Sequence, residues 1–157
     1  MFTLSAREVV EICEFRLAIE SAALDLAIRR NRGALVAEIT DIVARMAEAQ
    51  AKGDLKAYLH LDTEFHAAFF RHCGNHYLKD SYDRYVGKIA ALRTHLAIKP
   101  LHTKLSFEEH KAIRDVLASG TDAEIARILE AHIGRTREAY AGTVEDIAAA
   151  DAIKNAQ

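Results

Sequence analysis

The sequence predicts an all-α fold, an antiparallel bundle of six to seven helices, and three observations carry that expectation. Proline occurs once and glycine seven times in 157 residues, and the chain is rich in alanine, leucine, glutamate and basic residues, which favour helix. Apolar residues recur at spacings of three and four, and no stretch alternates as a strand would. Three S/T-x-x-E signatures, Ser5–Glu8, Ser106–Glu109 and Thr121–Glu124, have the pattern of helix-opening capping boxes.

Each element follows from these signals. The Ser5 box opens a first helix that ends near Asn31-Arg32-Gly33. A second runs from about Ala34 to Lys52, with Leu35, Ile39, Ile42, Val43 and Met46 at helical spacing. Gly53 closes it, and Asp54 caps a third helix reaching Cys73. After the Gly74-Asn75 turn a fourth helix extends to about Ile98, where Lys99-Pro100 ends it. The Ser106 box starts a fifth helix that stops at Ser119-Gly120, and the Thr121 box starts a sixth, to about Ala141. Gly142 then separates a short alanine-rich tail helix, Val144–Asn155. Short connections imply antiparallel neighbours.

The bulk properties narrow the function classes. The length suits one domain over residues 1–157 with a substantial core. A net charge of −2 with interspersed signs offers no broad basic surface for nucleic acid. Cys13 and Cys73 are too few for a disulfide framework and lack metal-binding spacing. No signal core and no long apolar run is present, so a soluble, cytoplasmic protein with no membrane partner is expected.

The candidate chemistry lies in the helical stripes. On the third helix Leu55, Leu59, Asp62, His66, Phe69 and Cys73 form one core stripe with two polar residues at its centre. His110 interrupts Phe107, Ile113 and Leu117 on the fifth helix, and His132 follows Ile125 and Leu129 on the sixth. From His110 to the Gly120 turn is about ten residues, roughly 15 Å, and from there back to His132 is roughly 18 Å. The hairpin therefore returns His132 to nearly the level of His110. One carboxylate and three imidazoles converging on a point suit a divalent transition metal, zinc or nickel, with a position left for water or a ligand. The competing reading is a metal-free buried network in which Asp62 orients one histidine. His60, His72, His76 and His102 are expected on solvated faces or in loops, and His95 has no clear assignment.

The segments EFRLAIESAALDLA, GDLKAYLHLDTEFHAAFFRHCGN and EEHKAIRDVLASGTDAEIARILEAHI carry a family likeness. With them the chain resembles, from about Val9 to Tyr140, the FCD (FadR C-terminal) ligand-sensing domain of GntR-type bacterial transcription regulators. The resemblance implies a bundle around a central ligand cavity, no enzymatic activity, and, at the matching positions, a metal held by Asp62, His66, His110 and His132. It further implies a small carboxylate effector touching that metal, and a homodimer. Arg16 falls where the family often has an arginine, and its guanidinium would clamp the carboxylate bidentately. The alternative for Arg16 is a surface pair with Glu20. Arg93 and Asn75 are weaker ligand-binding candidates, with solvated or turn-forming roles as alternatives.

The full regulators carry an N-terminal winged-helix DNA-binding domain. This chain starts essentially at the sensor, so it is expected not to bind operator DNA by itself. A rival function is a metallohydrolase using the same His₃Asp site, although Glu64 and Glu109 fall off the core stripes and supply no visible acid or base. A ferritin-type di-iron centre needs paired Glu-x-x-His motifs, which are absent here. A metal-free interaction bundle is the remaining alternative.

Overall fold

The computed structural model describes residues 4–154, with the side chains of residues 4–142. Five helices follow one another: α1 (Ala6–Ala51), α2 (Leu55–His72), α3 (His76–Leu96), α4 (Pro100–Ser119) and α5 (Asp122–Lys154). No strand occurs among the described residues. The all-α expectation holds; the described residues form five helical elements, the first of them kinked at Asn31.

Three places decide the count, each with a local cause. The expected break at 31–33 occurs as a kink: Asn31 leaves helical geometry at φ −144°, ψ 34° and divides the Ala6–Ala51 element into two helical segments. The bend is held from outside. Arg30 Nη1 donates to the carbonyls of Cys73 and Gly74, Asn31 Nδ2 to that of His72, and Arg32 Nε to that of Leu117. These carbonyls lie at the C-terminal ends of α2 and α4, where backbone acceptors lack helical partners and cations are favoured. One structural unit thus ties off two helix ends.

The second place is Ser106, which opens no helix. Proline fits the first turn, where its missing N–H is not needed, and α4 accordingly begins at Pro100 after Lys99. Ser106 is buried inside α4 and Glu109 turns to other partners. The third is Gly142, across which α5 runs unbroken to Lys154; the expected tail-helix end at Asn155 lies outside the described residues. The two remaining boxes form as expected: Ser5 and Glu8 exchange both bonds, as do Thr121 and Glu124.

Gly53 takes φ +67° at the end of α1, which is open to glycine at no steric cost. There Asp54 N–H bonds the Ala49 carbonyl and Gly53 N–H that of Gln50, the paired closure of a Schellman motif. The chain therefore reverses, and the second half of α1 packs along α2. Helix α1 touches all four other helices. Its buried residues Leu35, Ile39 and Met46 meet a core that includes Phe65, Phe69, Ile89, Leu92, Ile113 and Leu129. Leu55, expected in the core, is 45% exposed at the first turn of α2.

Candidate metal centre

All five helices send polar side chains to one buried location. Helix α1 contributes Arg16 and Glu20, α2 Asp62 and His66, α3 Arg93, α4 Glu109 and His110, and α5 His132 and Arg135. His66 and His110 are fully buried and His132 nearly so. The inward face of LDTEFHAAFF is therefore dry; Leu61 is buried too, and Phe65 packs beside the centre. The Phe65 ring lies 4.3 Å from that of His110.

The three histidines meet through their Nε2 atoms. His66 Nε2 stands 3.4 Å from His110 Nε2 and 3.3 Å from His132 Nε2. Behind two of them sit carboxylates: Glu20 Oε2 is 2.6 Å from His66 Nδ1, and Glu109 Oε2 is 2.6 Å from His132 Nδ1. Burial alone would raise the Glu20 carboxyl, but the Arg16 charge and the hydrogen bond with His66 outweigh it and hold it well below the usual range. For Glu109 burial is likewise outweighed, by hydrogen bonds from Arg135 and His132, and the carboxyl is held at about 2. Both are therefore ionised and can only accept.

That fixes the tautomers. His66 and His132 each donate Nδ1–H to a carboxylate, so in the neutral rings each Nε2 bears a lone pair. Burial, reinforced by the nearby Arg93 charge, pushes the His66 imidazole down to about 3 against the opposing pull of Glu20. Burial also holds His110 well below its ordinary value. When both rings are neutral, these two lone pairs, 3.3 Å apart, do not bond one another. A cation between them could accept from both.

The spacing fits one. Nitrogen ligands about 2.0–2.1 Å from a tetrahedral ion stand about 3.3–3.4 Å from each other. Among the described residues, His66, His110 and His132 form a cluster whose ligand atoms all lie within 4.8 Å of one another. Asp62 stands at its edge, with Oδ1 3.3 Å from His110 Nε2 and Oδ2 3.0 Å from Arg93 Nε. Three of the four residues chosen from the sequence thus meet, and the fourth adjoins one of them.

A small cavity of about 20 Å³ opens beside the centre, lined in part by Arg16, Tyr58, Asp62, Arg93, His102 and His132. That is room for roughly one water molecule. Arg16 is paired with Glu20 through Nε at 2.8 Å, the i,i+4 pair foreseen as a surface alternative, but it is buried at 1% and 0% side-chain exposure. Arg16 Nη2 and both terminal nitrogens of Arg93 make no hydrogen bond and are buried. Asn75 is engaged elsewhere: it caps α3, accepting from the N–H groups of Tyr77 and Leu78.

Several participants were not legible beforehand. Glu20 continues the buried row Cys13, Arg16, Glu20, Leu24, a signal that was present. Glu109 lies off the core stripe, yet it holds His132. Arg135 makes two 2.6 Å bonds to Glu109 and donates from Nη1 to His102 Nδ1 at 2.9 Å. His102, expected in a solvated loop, sits half-buried in the first turn of α4. Burial and the Arg135 charge push it down to about 4. His72 is also half-buried, with Nε2 2.6 Å from Glu38.

Fold and site together define an all-helical bundle with a buried polar centre to which each of the five helices contributes. The family model of the FCD domain matches residues 11–135, and the chain belongs to that family. Among solved structures it is similar to the metal-free FCD domain of TM0439, a proposed transcriptional regulator. That likeness has 20% identity and a TM-score of 0.76, covering 87% of this chain and 94% of that one. It is also similar to McbR/YncC of E. coli, at 18% identity and a TM-score of 0.77, covering 89% of this chain and 71% of that one. At these identities the likenesses speak to the shared fold. No curated protein sequence matches the chain. Among the described residues no helix is long and apolar enough to cross a membrane.

Proposed function

We propose that this chain is the metal-dependent, organic-acid-sensing domain of a GntR/FadR-type transcription regulator. The observation that carries the reading is the pair of inward lone pairs on His66 and His132, fixed by ionised carboxylates behind them. His66, His110, His132 and Asp62 would hold a divalent ion, and the 3.3–3.4 Å nitrogen spacing favours zinc over an octahedral ion such as nickel. A bound ion would supply a Lewis-acidic position for one oxygen of the effector.

Charge balance supports an anionic effector. Around the histidines stand three guanidiniums, Arg16, Arg93 and Arg135, and three carboxylates, Glu20, Asp62 and Glu109. A divalent ion leaves an excess of positive charge in a low-dielectric interior, which a carboxylate relieves. The unpaired nitrogens of Arg16 and Arg93 would receive its other oxygens. The cavity holds little more than a water, so an effector of several atoms requires the wall formed by the first turns of α4 to shift. Preferential binding to the shifted arrangement would bias a homodimer, and through it winged-helix domains on DNA, in the cytoplasm. A hydrolytic role is less well supported, because Glu109 and Glu20 are both committed to an arginine and a histidine, leaving neither free to move protons.

Titration of zinc into metal-free protein tests the reading. One ion per chain is expected, with binding lost in the Asp62→Ala/His66→Ala double variant. Equal affinity in that variant overturns the assignment.

A further inference from the structure

Two arginine–glutamate pairs stand behind the histidines, on the side away from the meeting point of the Nε2 atoms. On one side Arg16 Nε binds Glu20 Oε1 and Glu20 Oε2 faces His66 Nδ1. On the other, Arg135 binds both Glu109 oxygens and Glu109 Oε2 faces His132 Nδ1. The third imidazole, His110, has no such support: its Nδ1 is buried without a hydrogen-bond partner. An imidazole free to flip or change tautomer presents its lone pair inward only part of the time. A carboxylate on the far nitrogen removes that freedom and makes the ring a stronger donor.

We propose that Glu20 and Glu109 are positioning residues of the three-histidine centre, each locking one ring with its Nε2 lone pair aimed inward, and that Glu20 contributes the larger share. The ranking follows from surroundings. Glu20 is sealed from solvent, whereas the Glu109 side chain is 24% exposed and its hydrogen bonds are weakened by water. Each glutamate is in turn fixed by its arginine, so a ring orientation on α2 is set from α1, and one on α5 is set from α4. The proposal rests on the metal reading above, and its test separates the two.

The first measurement needs no metal. Long-range ¹⁵N–¹H spectra of the histidine side chains of metal-free protein report which ring nitrogen carries the proton. Wild type is expected to show His66 and His132 as Nδ1–H tautomers, with Glu20→Gln disturbing His66 alone and Glu109→Gln disturbing His132 alone. The second is zinc titration against a competing chelator for wild type, His66→Ala and both glutamine variants. Glu20→Gln is expected to lose roughly 10- to 100-fold in zinc affinity and Glu109→Gln less, both keeping a cooperative thermal transition. Wild type that ignores zinc, or His66→Ala that binds as well as wild type, overturns the metal reading while the spectra still decide the tautomers. Zinc affinity in both glutamine variants equal to wild type, with His66→Ala impaired, overturns the positioning role. A greater loss in Glu109→Gln overturns the ranking. Should Glu20→Gln not fold, Glu109→Gln at the half-buried position carries the test.

Discussion

Arg30, Asn31 and Arg32 at the bend of α1, and the histidines at the centre, each join several helices through polar side chains. The bend does so by closure. Its side chains donate to carbonyls at the ends of α2 and α4, and the groups it brings together satisfy one another. The centre leaves a surplus: lone pairs facing lone pairs, three guanidinium nitrogens and one imidazole nitrogen without partners, all buried. Buried polar groups left unmatched cost free energy, and a fold retains them where something else completes them. A closed polar junction is read as structure, and an open one as a site.

The contrast can be broken most decisively with metal. Zinc at a thousandfold its dissociation constant should stabilise the wild-type fold by about 4 kcal/mol. Thermal melts should show that gain vanish in His66→Ala and survive in Asn31→Ala. Retention of the gain in His66→Ala would place the ion elsewhere.

Acid probes the same contrast without metal. His66 is held at about 3 and His110 well below its ordinary value, so both are neutral in the fold. The unfolded chain protonates them below about 6.5, so their contribution is complete above that pH and declines as the pH falls toward 3. Glu109, held at about 2, adds a loss that begins below its ordinary 4.5. Melting temperatures of metal-free protein should therefore fall steadily below about pH 6.5. A level profile down to about pH 4 would show that the centre is not closed to protons.

Smaller effects should have opposite signs at the two junctions. His110→Leu removes an unpartnered buried nitrogen and should raise metal-free stability by about 1–2 kcal/mol while abolishing zinc binding. Asn31→Ala removes a made hydrogen bond and should lower stability by about 1 kcal/mol in urea melts, leaving zinc affinity intact. Asn75→Ala should likewise cost about 1 kcal/mol through its lost cap, with no effect on zinc. A destabilised His110→Leu would mean that this ring is worth more as packing against Phe65 than it costs as an unmet polar group.

Sequence periodicity found the residues that occupy core positions. Asp62, His66, His110 and His132 stand where leucine is expected, and that anomaly is visible in one dimension. Glu109 and Arg135 lie beside the stripes and reach the centre through long side chains, so no period reveals them. Helix ends were legible where glycine must turn left-handed, at Gly53 and Gly74. The signal at Asn31-Arg32-Gly33 marks the kink of α1, whereas Ser106 was misread as a helix start because a better start at Pro100 prevails. Local chemistry permits a break there, and packing decides whether one occurs.

The bend also sets a lever. From Asn31, where side chains anchor it to two helix ends, α1 runs about 37 Å back to Ala6, and Glu20 lies about 16 Å along that arm. A displacement of 1 Å at Glu20, pivoting about Asn31, becomes about 2.3 Å at Ala6 by the same rise per residue. The carboxylate behind His66 thus sits a little short of midway along the arm, and the start of the helix at the end that moves most.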